Sequence, residues 1–466
     1  MAESFLHGIE VTEVTDGLRP IQTARSSVIG VIGTAPAAAA EDWPLNTPVL
    51  VTGPRQLEGI GDEGTLKDAL TGIYDQAGPA VAVVRVTEGA DDLETLSNII
   101  GDATMGTGVH AFLAAESEIH VTPRILCAPG HTSMRPTGVS EITVDTPGSG
   151  YTEATVTLDG DGQGAEAEAV IEDGSISAIN VTSAGYGYTS APTVTITGDG
   201  DGAAAATAAI DSAANPVVAE MQGIAERLRG VVVADGPNTT LTEAITYRND
   251  WGSDRIYVVD PFVTVWDTTT DSAVAEPASG RVAGLMAFVD NEHGFWWSPS
   301  NKILKGVVGT DRAVQFGLSD TSSQAQLMNA DEVATIIHKR GYRLYGNRTT
   351  SADPQWAFLS VRRTADMVYE SVEEAFLWAL DRPFSEHLIR DIQESVNAYL
   401  RSLVSRGALL GGQCWFDPAL NTKDQLMAGK LTMDFDLEPP APLERLTFRA
   451  HREADYYTEL AEAVAS

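Results

Sequence analysis

The chain has 466 residues, 43% hydrophobic and 7% aromatic, so it is a folded protein too long for one ordinary core and is expected to divide into about two to four domains. Its 65 acidic against 30 basic side chains give a formal charge of −35, a field that repels a phosphate backbone and disfavours direct nucleic-acid binding. No run reaches the roughly 18 apolar residues of a membrane span, and Met1-Ala2-Glu3-Ser4 lacks the basic-then-apolar order of a signal peptide, so neither membrane insertion nor export on its own signal is expected.

Residues 1–20 read as a separate arm. Gly8-Ile9-Glu10-Val11-Thr12-Glu13-Val14 alternates apolar and polar residues, slips by one at Glu13, and is closed by Asp16-Gly17 and Pro20: a short strand with no local partner. Beyond it come four apolar, β-branched runs of the kind that fill a covered sheet, at 27–33, 81–86, 230–235 and 255–260. Helical patterns at 66–76 and 217–228 lie between them. Buried strands alternating with helices predict an α/β core with a largely parallel sheet over 21–136 and 214–345. Gly30 and Gly33 lack the companions of a phosphate loop and read as packing or turn positions.

Residues 137–213 interrupt that core. No Lys or Arg occurs between Arg135 and Arg227, while this stretch carries twelve Asp or Glu, so it should face solvent. It also repeats itself. Ile142-Thr143-Val144 with Gly150-Tyr151-Thr152 returns as Ile179-Asn180-Val181 with Gly187-Tyr188-Thr189, and Gly160-Asp161-Gly162 returns as Gly198-Asp199-Gly200. Two units of about 37 residues, made of Thr/Val-rich strands and Gly-rich turns, predict a small all-β module inserted in a loop.

The stretch 346–450 is expected to be an α+β domain, two helices on a small antiparallel sheet. A helix over 364–380 places Val368, Val372, Ala375, Phe376 and Ala379 on one face. A second begins at Ser385 as cap, with Phe384 stapled to Ile389, and stops at Gly407. Strands are expected over 413–417, 430–437 and 443–450, the last two parted by Glu438-Pro439-Pro440-Ala441-Pro442. Residues 451–466 continue as a second extended, strand-forming arm.

Chemistry-bearing motifs are sparse. Glu292-His293 lacks the second histidine of a metalloprotease motif, and the eight histidines have no ligand spacing. The Asp-Gly turns lack the spaced ligands of a calcium loop and read as tight hairpins. Cys127 and Cys414 offer neither a metal spacing nor a disulfide framework and read as buried small hydrophobes. Phe295-Trp296-Trp297 reads as an aromatic cluster buried between domains. No enzyme, metal or cofactor is expected. A lone strand at each end of a chain is an aggregation liability unless another surface completes it, which points to pairing between copies.

Several motifs, in order, resemble one family. Gly341-Tyr342-Arg343-Leu344-Tyr345-Gly346-Asn347-Arg348-Thr349-Thr350-Ser351 with Asp353-Pro354-Gln355-Trp356, then Val361-Arg362-Arg363-Thr364-Ala365-Asp366-Met367, Gly407-Ala408-Leu409-Leu410-Gly411-Gly412 and Asn421-Thr422, resemble the C-terminal domain of contractile phage tail sheath proteins, a family also found in tail-like bacteriocins. Gly8-Ile9-Glu10-Val11 and Arg25-Ser26-Ser27-Val28-Ile29-Gly30-Val31-Ile32-Gly33 resemble its N-terminal arm and first core strand. The resemblance implies a structural subunit that stacks as hexameric rings around a tail tube protein, between baseplate and tail terminator proteins. Contraction from a metastable extended state would drive the tube through a host envelope for genome delivery, without nucleotide or cofactor. The subunit would sit in the virion tail after assembly in the host cytoplasm. In that family the terminal arms add strands to neighbouring subunits, which makes Ile9, Glu10, Val11, Thr12 and Val14, with Leu446, Phe448 and Ala450, the candidate linking residues. The C-terminal domain lines the tube, so Arg382, Arg390, Arg401 and Arg406 are candidate tube contacts. The reading from a different class is an adhesin or carbohydrate-binding tail surface protein that uses the repeats of 137–213.

Overall fold

The computed structural model describes residues 20–465. The core opens with β1 (Ile29–Thr34), β2 (Val49–Val51), α1 (Leu66–Gln76), β3 (Val81–Val86), α2 (Asp92–Ile100), α3 (Ala115–Ile119) and β4 (Ile125–Cys127). Six strands follow without a helix: β5 (Thr137–Thr146), β6 (Ala154–Asp159), β7 (Gln163–Glu172), β8 (Ser175–Tyr186), β9 (Thr193–Gly198) and β10 (Ala205–Ser212). The chain then returns through α4 (Pro216–Arg227), β11 (Val231–Asp235), α5 (Leu241–Asn249) and β12 (Ile256–Val259).

The returning strands complete one sheet, in the order β12-β11-β4-β1-β3-β2. All of its pairings are parallel except that of β2 with β3. Its strands are apolar at nearly every position because both faces are covered. Ile29 and Val31 of β1 face a layer built with Leu70, Ile73 and Val282, while Ile32 faces the opposite layer with Leu96, Met221 and Tyr247. Gly30 and Gly33 allow close packing, since a Cβ would lie 2.7 Å from Leu126 Cδ2 and 2.4 Å from Thr65 Oγ1 respectively.

The inserted strands make a four-stranded antiparallel sheet, β8-β7-β6-β9, and the separate pair β10-β5. Thr137 pairs with Ser212, and Ala213 N donates to Pro136 O at 2.8 Å, so the module leaves the core and rejoins it at one place. The two repeats are locked reciprocally. Thr152 donates its amide to Asp199 Oδ1 at 2.8 Å and its hydroxyl to Asp199 Oδ2, while Thr189 donates its amide and hydroxyl to Asp161. Each repeat's Asp-Gly turn therefore holds the other repeat's Tyr-Thr corner, a role beyond the tight turn expected of it. Tyr151 and Tyr188, equivalent positions in the repeats, are both buried.

After β12 come β13 (Val263–Asp267), β14 (Ser272–Glu276), α6 (Ser279–Glu292), β15 (Val307–Thr310), α7 (Gln324–Ala330), β16 (Thr335–His338) and β17 (Tyr342–Tyr345). These form a small sheet, β14-β13-β15, and the hairpin β16-β17. The C-terminal region holds α8 (Leu359–Ala375), α9 (Glu386–Ser405), β18 (Gly411–Trp415), α10 (Lys423–Met427), β19 (Asp434–Glu438) and α11 (Tyr456–Ala465). Ser385 caps α9, accepting from Leu388 N at 3.1 Å, and Gly407 follows its end at φ +77°.

Three expectations about this region change. α8 starts at Leu359 rather than at 364, because its first turns bury Arg362 and Arg363 in ion pairs that read as surface in the sequence. Residues 443–450 form no strand: the sheet they were to extend is the pair β18-β19, and among the described residues the alternation of 443–450 pairs with no edge. The C-terminal arm is not extended throughout, since Tyr456–Ala465 is helical, as suits a run containing Leu460, Ala461, Ala463 and four-residue apolar spacing.

Candidate inter-subunit surface

The N-terminal candidates Ile9, Glu10, Val11, Thr12 and Val14 lie outside the described residues. The segment that follows them does not enter the parallel sheet at once. Ala24 N donates to Ser371 Oγ at 2.9 Å, Ser26 O accepts from Arg363 Nη2 at 3.2 Å, and Thr23 Oγ1 lies 3.4 Å from Tyr399 OH. Ile21 packs beside Met367, Val368 and Tyr399. The chain thus crosses α8 and α9 before it reaches β1, although 21 onward was expected in the core.

The C-terminal sheet has two unlike edges. On β18 the Cys414 N–H donates to Asn397 Oδ1 at 2.8 Å, and the Cys414 carbonyl accepts from Asn397 Nδ2 at 3.0 Å and Gln393 Nε2 at 3.3 Å. Side chains of α9 therefore occupy both backbone groups of Cys414 on β18. β19 has no second strand beside it among the described residues. Its outer backbone edge thus lacks a strand partner, while Asp436 Oδ1 turns the other way and accepts from Gln413 N of β18 at 2.6 Å.

Leu446, Phe448 and Ala450 are all exposed, the first two at 64% and 85%. None of them pairs with β18 or β19. The tail is tied back at Glu444, whose carboxylate accepts two hydrogen bonds from Arg348 at 2.9 and 2.8 Å. The Arg348 guanidinium holds the Glu444 carboxyl below the usual carboxylate range.

The four arginines divide. Arg390 pairs with Glu386 at 2.6 Å and Arg401 pairs with Glu394, and helical geometry brings positions 390 and 401 to one face of α9 after about three turns. Arg382 lies over the Trp378 ring at 4.7 Å. Arg406, at the far end of α9, stacks over Trp296 at 5.2 Å and belongs to another surface. The aromatic run splits likewise: Phe295 is buried and packs with Val396 and Leu403, but Trp297 is 46% exposed, stacked on His293 at 4.8 Å. Trp297 lies at the surface between His293 and Lys302, so the expected buried cluster holds only for Phe295 and, in part, Trp296.

Sequence reasoning missed the seam that joins α8 to the core. Asp366 receives both Arg362 (2.7 and 3.2 Å) and Arg255 (2.8 and 3.1 Å), and Arg362 also reaches Asp254 at 3.3 Å while stacking over Trp356 at 4.4 Å. Arg363 pairs with Asp290, and Arg124 with Glu370 at 2.7 Å. The i,i+4 spacing of Arg362 and Asp366 was the one visible signal. Both cysteines are free and buried. Among the described residues no cluster of three or more His, Cys, Asp or Glu is placed to hold a metal, and no helix is long and apolar enough to cross a membrane.

Comparison with known proteins places this architecture. The model of the phage tail sheath protein central domain matches residues 203–350, and that of the phage tail sheath C-terminal domain matches residues 351–452. The chain is 33% identical over 464 residues to a putative prophage major tail sheath protein of Pseudomonas aeruginosa (strain UCBPP-PA14), covering 98% of this chain and 99% of that one. It is 32% identical over 474 residues to the tail sheath protein of Escherichia phage P2, covering 99% of each. In fold it is similar to the helical sheath of the anti-feeding prophage in its contracted state, with TM-score 0.61 and 16% identity over 97% of this chain and 100% of that one. The sheath of an extracellular contractile injection system in its contracted state gives TM-score 0.59 and 15% identity over 98% and 100%.

Proposed function

Because the chain belongs to the contractile tail sheath family, as a structural protein of the virion tail and not an enzyme, we propose that it polymerises as stacked hexameric rings around a tail tube. The sheath contracts from a metastable extended state and drives the tube through the host envelope for genome delivery. The energy comes from the difference between two lattices, so neither nucleotide nor cofactor takes part. Subunits are made and assembled in the host cytoplasm, between a baseplate and a tail terminator protein.

The observation that carries this reading is the unlike pair of sheet edges. β18 is closed by Asn397, whereas β19 keeps an open backbone edge, and the tail carrying Leu446, Phe448 and Ala450 leaves the body exposed. A strand from a neighbouring copy, supplied by residues 9–14 or 446–450, would satisfy that edge. Arg390 and Arg401, sharing one face of α9, are the better placed of the four arginines for a tube surface. The adhesin reading gives way to family membership, and 137–213 is taken as an outward decoration of the sheath.

Electron micrographs of the purified full-length chain test the reading. Long hollow polymers or stacked rings are expected; discrete monomers at all concentrations would contradict it.

A further inference from the structure

We propose that the acidic module 137–213 of one copy docks, through the outer face of β6 and β7, on the basic tip of the β16-β17 hairpin of a second copy. It rests on the polymeric reading above and is separate from any strand exchange by the chain ends. The hairpin turns at Lys339-Arg340-Gly341, and Lys339 and Arg340 are exposed. Arg343 braces the tip, donating through Nε to Lys339 O at 2.9 Å and through Nη1 to Asn301 O at 2.8 Å. Ile303 bridges to Arg343 and is 46% exposed, which sets an apolar side chain beside the cations.

Among the described residues none of Lys339, Arg340 and Arg343 has a carboxylate in ion-pair range. Elsewhere in the chain Arg124, Arg255, Arg362 and Arg363 are each paired, and acids outnumber bases by 65 to 30. Three cations left open together in so acidic a protein fit an acidic partner surface.

The module supplies one. It has twelve acids and no Lys or Arg. Glu166 and Glu168 alternate with half-buried alanines on β7, and Thr155, Thr157 and Asp159 alternate likewise on β6. Thr155 pairs with Glu168, so both strands turn their exposed residues to the same face. Asp161 and Asp199 are taken up by the locks between the repeats, whereas Glu166, Glu168 and Asp159 have no side-chain partner among the described residues.

The two patches belong to opposite layers of the subunit. Ile336, Leu344 and Leu304 around the hairpin pack in the layer with Leu70 and Val282, whereas Tyr186 of the module packs in the other layer with Leu96 and Met221. Gly187 also lies against that second layer, where an added Cβ would be 3.0 Å from Leu93 Cδ1. A contact between unlike patches on opposite sides is head-to-tail, so it repeats from copy to copy instead of closing a pair. Exposed ion pairs are individually weak, so this contact adds to the lattice without being required for it.

Carbodiimide, which joins an amine to a carboxylate in direct contact, tests this on polymers grown from an equal mixture of unlabelled and heavy-nitrogen full-length chain. Mass spectrometry should find Lys339 coupled to Glu166, Glu168 or Asp159, with about half of the coupled peptides carrying one light and one heavy partner. Arg340→Glu, which keeps the reactive Lys339, should lower that yield about tenfold, and Glu166→Lys in the same chain should restore it through Glu168. Polymers without the mixed-label peptide, or a yield unmoved by Arg340→Glu, overturn the docking and leave the polymeric reading standing. Failure of the unmodified chain to polymerise overturns both.

Discussion

Arg363 of α8 and Asp290 of α6 face each other through two hydrogen bonds, 2.9 and 2.6 Å, with their side chains only 5% and 1% exposed. Together with Arg362, Arg255 and Asp366 they fasten the C-terminal helices to the α/β core. A charge pair removed from water this far is costly to break on one side, because the survivor stays buried alone.

Arg363→Ala should therefore destabilise the subunit by about 3–5 kcal/mol, and Asp290→Ala by a similar amount. The double variant Arg363→Met with Asp290→Leu should lose clearly less than the sum of the two single changes. Denaturant unfolding checks this, and simple additivity would show that the pair is not coupled.

Two groups near the ends of β4 and β11, His131 half-buried and Asp235 fully buried, titrate in opposite senses. Burial pushes the His131 imidazole down to about 4, and pushes the Asp235 carboxyl up to about 6 despite its bonds from Ser279 N (2.8 Å) and Ser279 Oγ (2.5 Å). Stability from a neutral His131 is present above its unfolded value near 6.5 and is lost as pH falls toward 4. Stability from a protonated Asp235 is fully present below 3.8 and is lost as pH rises through 6. The two slopes oppose each other, each worth roughly 2–3 kcal/mol. Relative to the parent, His131→Gln should gain stability between pH 6.5 and 4, whereas Asp235→Asn should lose it over the same range. Parallel profiles for parent and both variants in unfolding experiments would contradict the assignment.

The module at 137–213 can be cut where its ends meet. With Ala213 N bonded to Pro136 O, joining Pro136 to Ala214 closes a short gap at little entropic cost. Tyr186 packs among Leu96, Val217 and Met221, so its removal uncovers some apolar surface at about 1–3 kcal/mol. The shortened chain should be soluble, somewhat less stable, and still assemble. Loss of assembly with the fold intact, judged by circular dichroism and microscopy, would make the module part of the lattice.

The fold was legible where one physical signal dominates. The apolar runs of β1, β3, β11 and β12 announce strands covered on both faces, and the pattern of α1 gives its two ends. The Ser385 cap and Gly407 mark the limits of α9. It was not legible where charge is buried: Arg362 and Arg363 look like surface until Asp366 and Asp290 are seen beside them. The tail misled for the opposite reason, since alternation over 443–450 signals a strand only if some edge receives it. The reciprocal Asp161–Thr189 and Asp199–Thr152 locks could have been suspected from the repeat, but which repeat holds which is a matter of tertiary contact. Of the candidate arginines, sequence could not separate Arg406 from the rest, because its partner Trp296 lies on a distant loop.

The central claim is that terminal strands link one copy to the next, and removal of residues 1–20 tests it most directly. The chain beyond the removed segment is anchored on α8 by Ala24 and Ser26. The truncated subunit should be soluble and folded by circular dichroism, yet form no contractile sheath in electron micrographs. Val11→Pro should do nearly the same by removing a ladder donor. Truncated chains that build sheaths of normal length, contracting as one piece, would contradict the account.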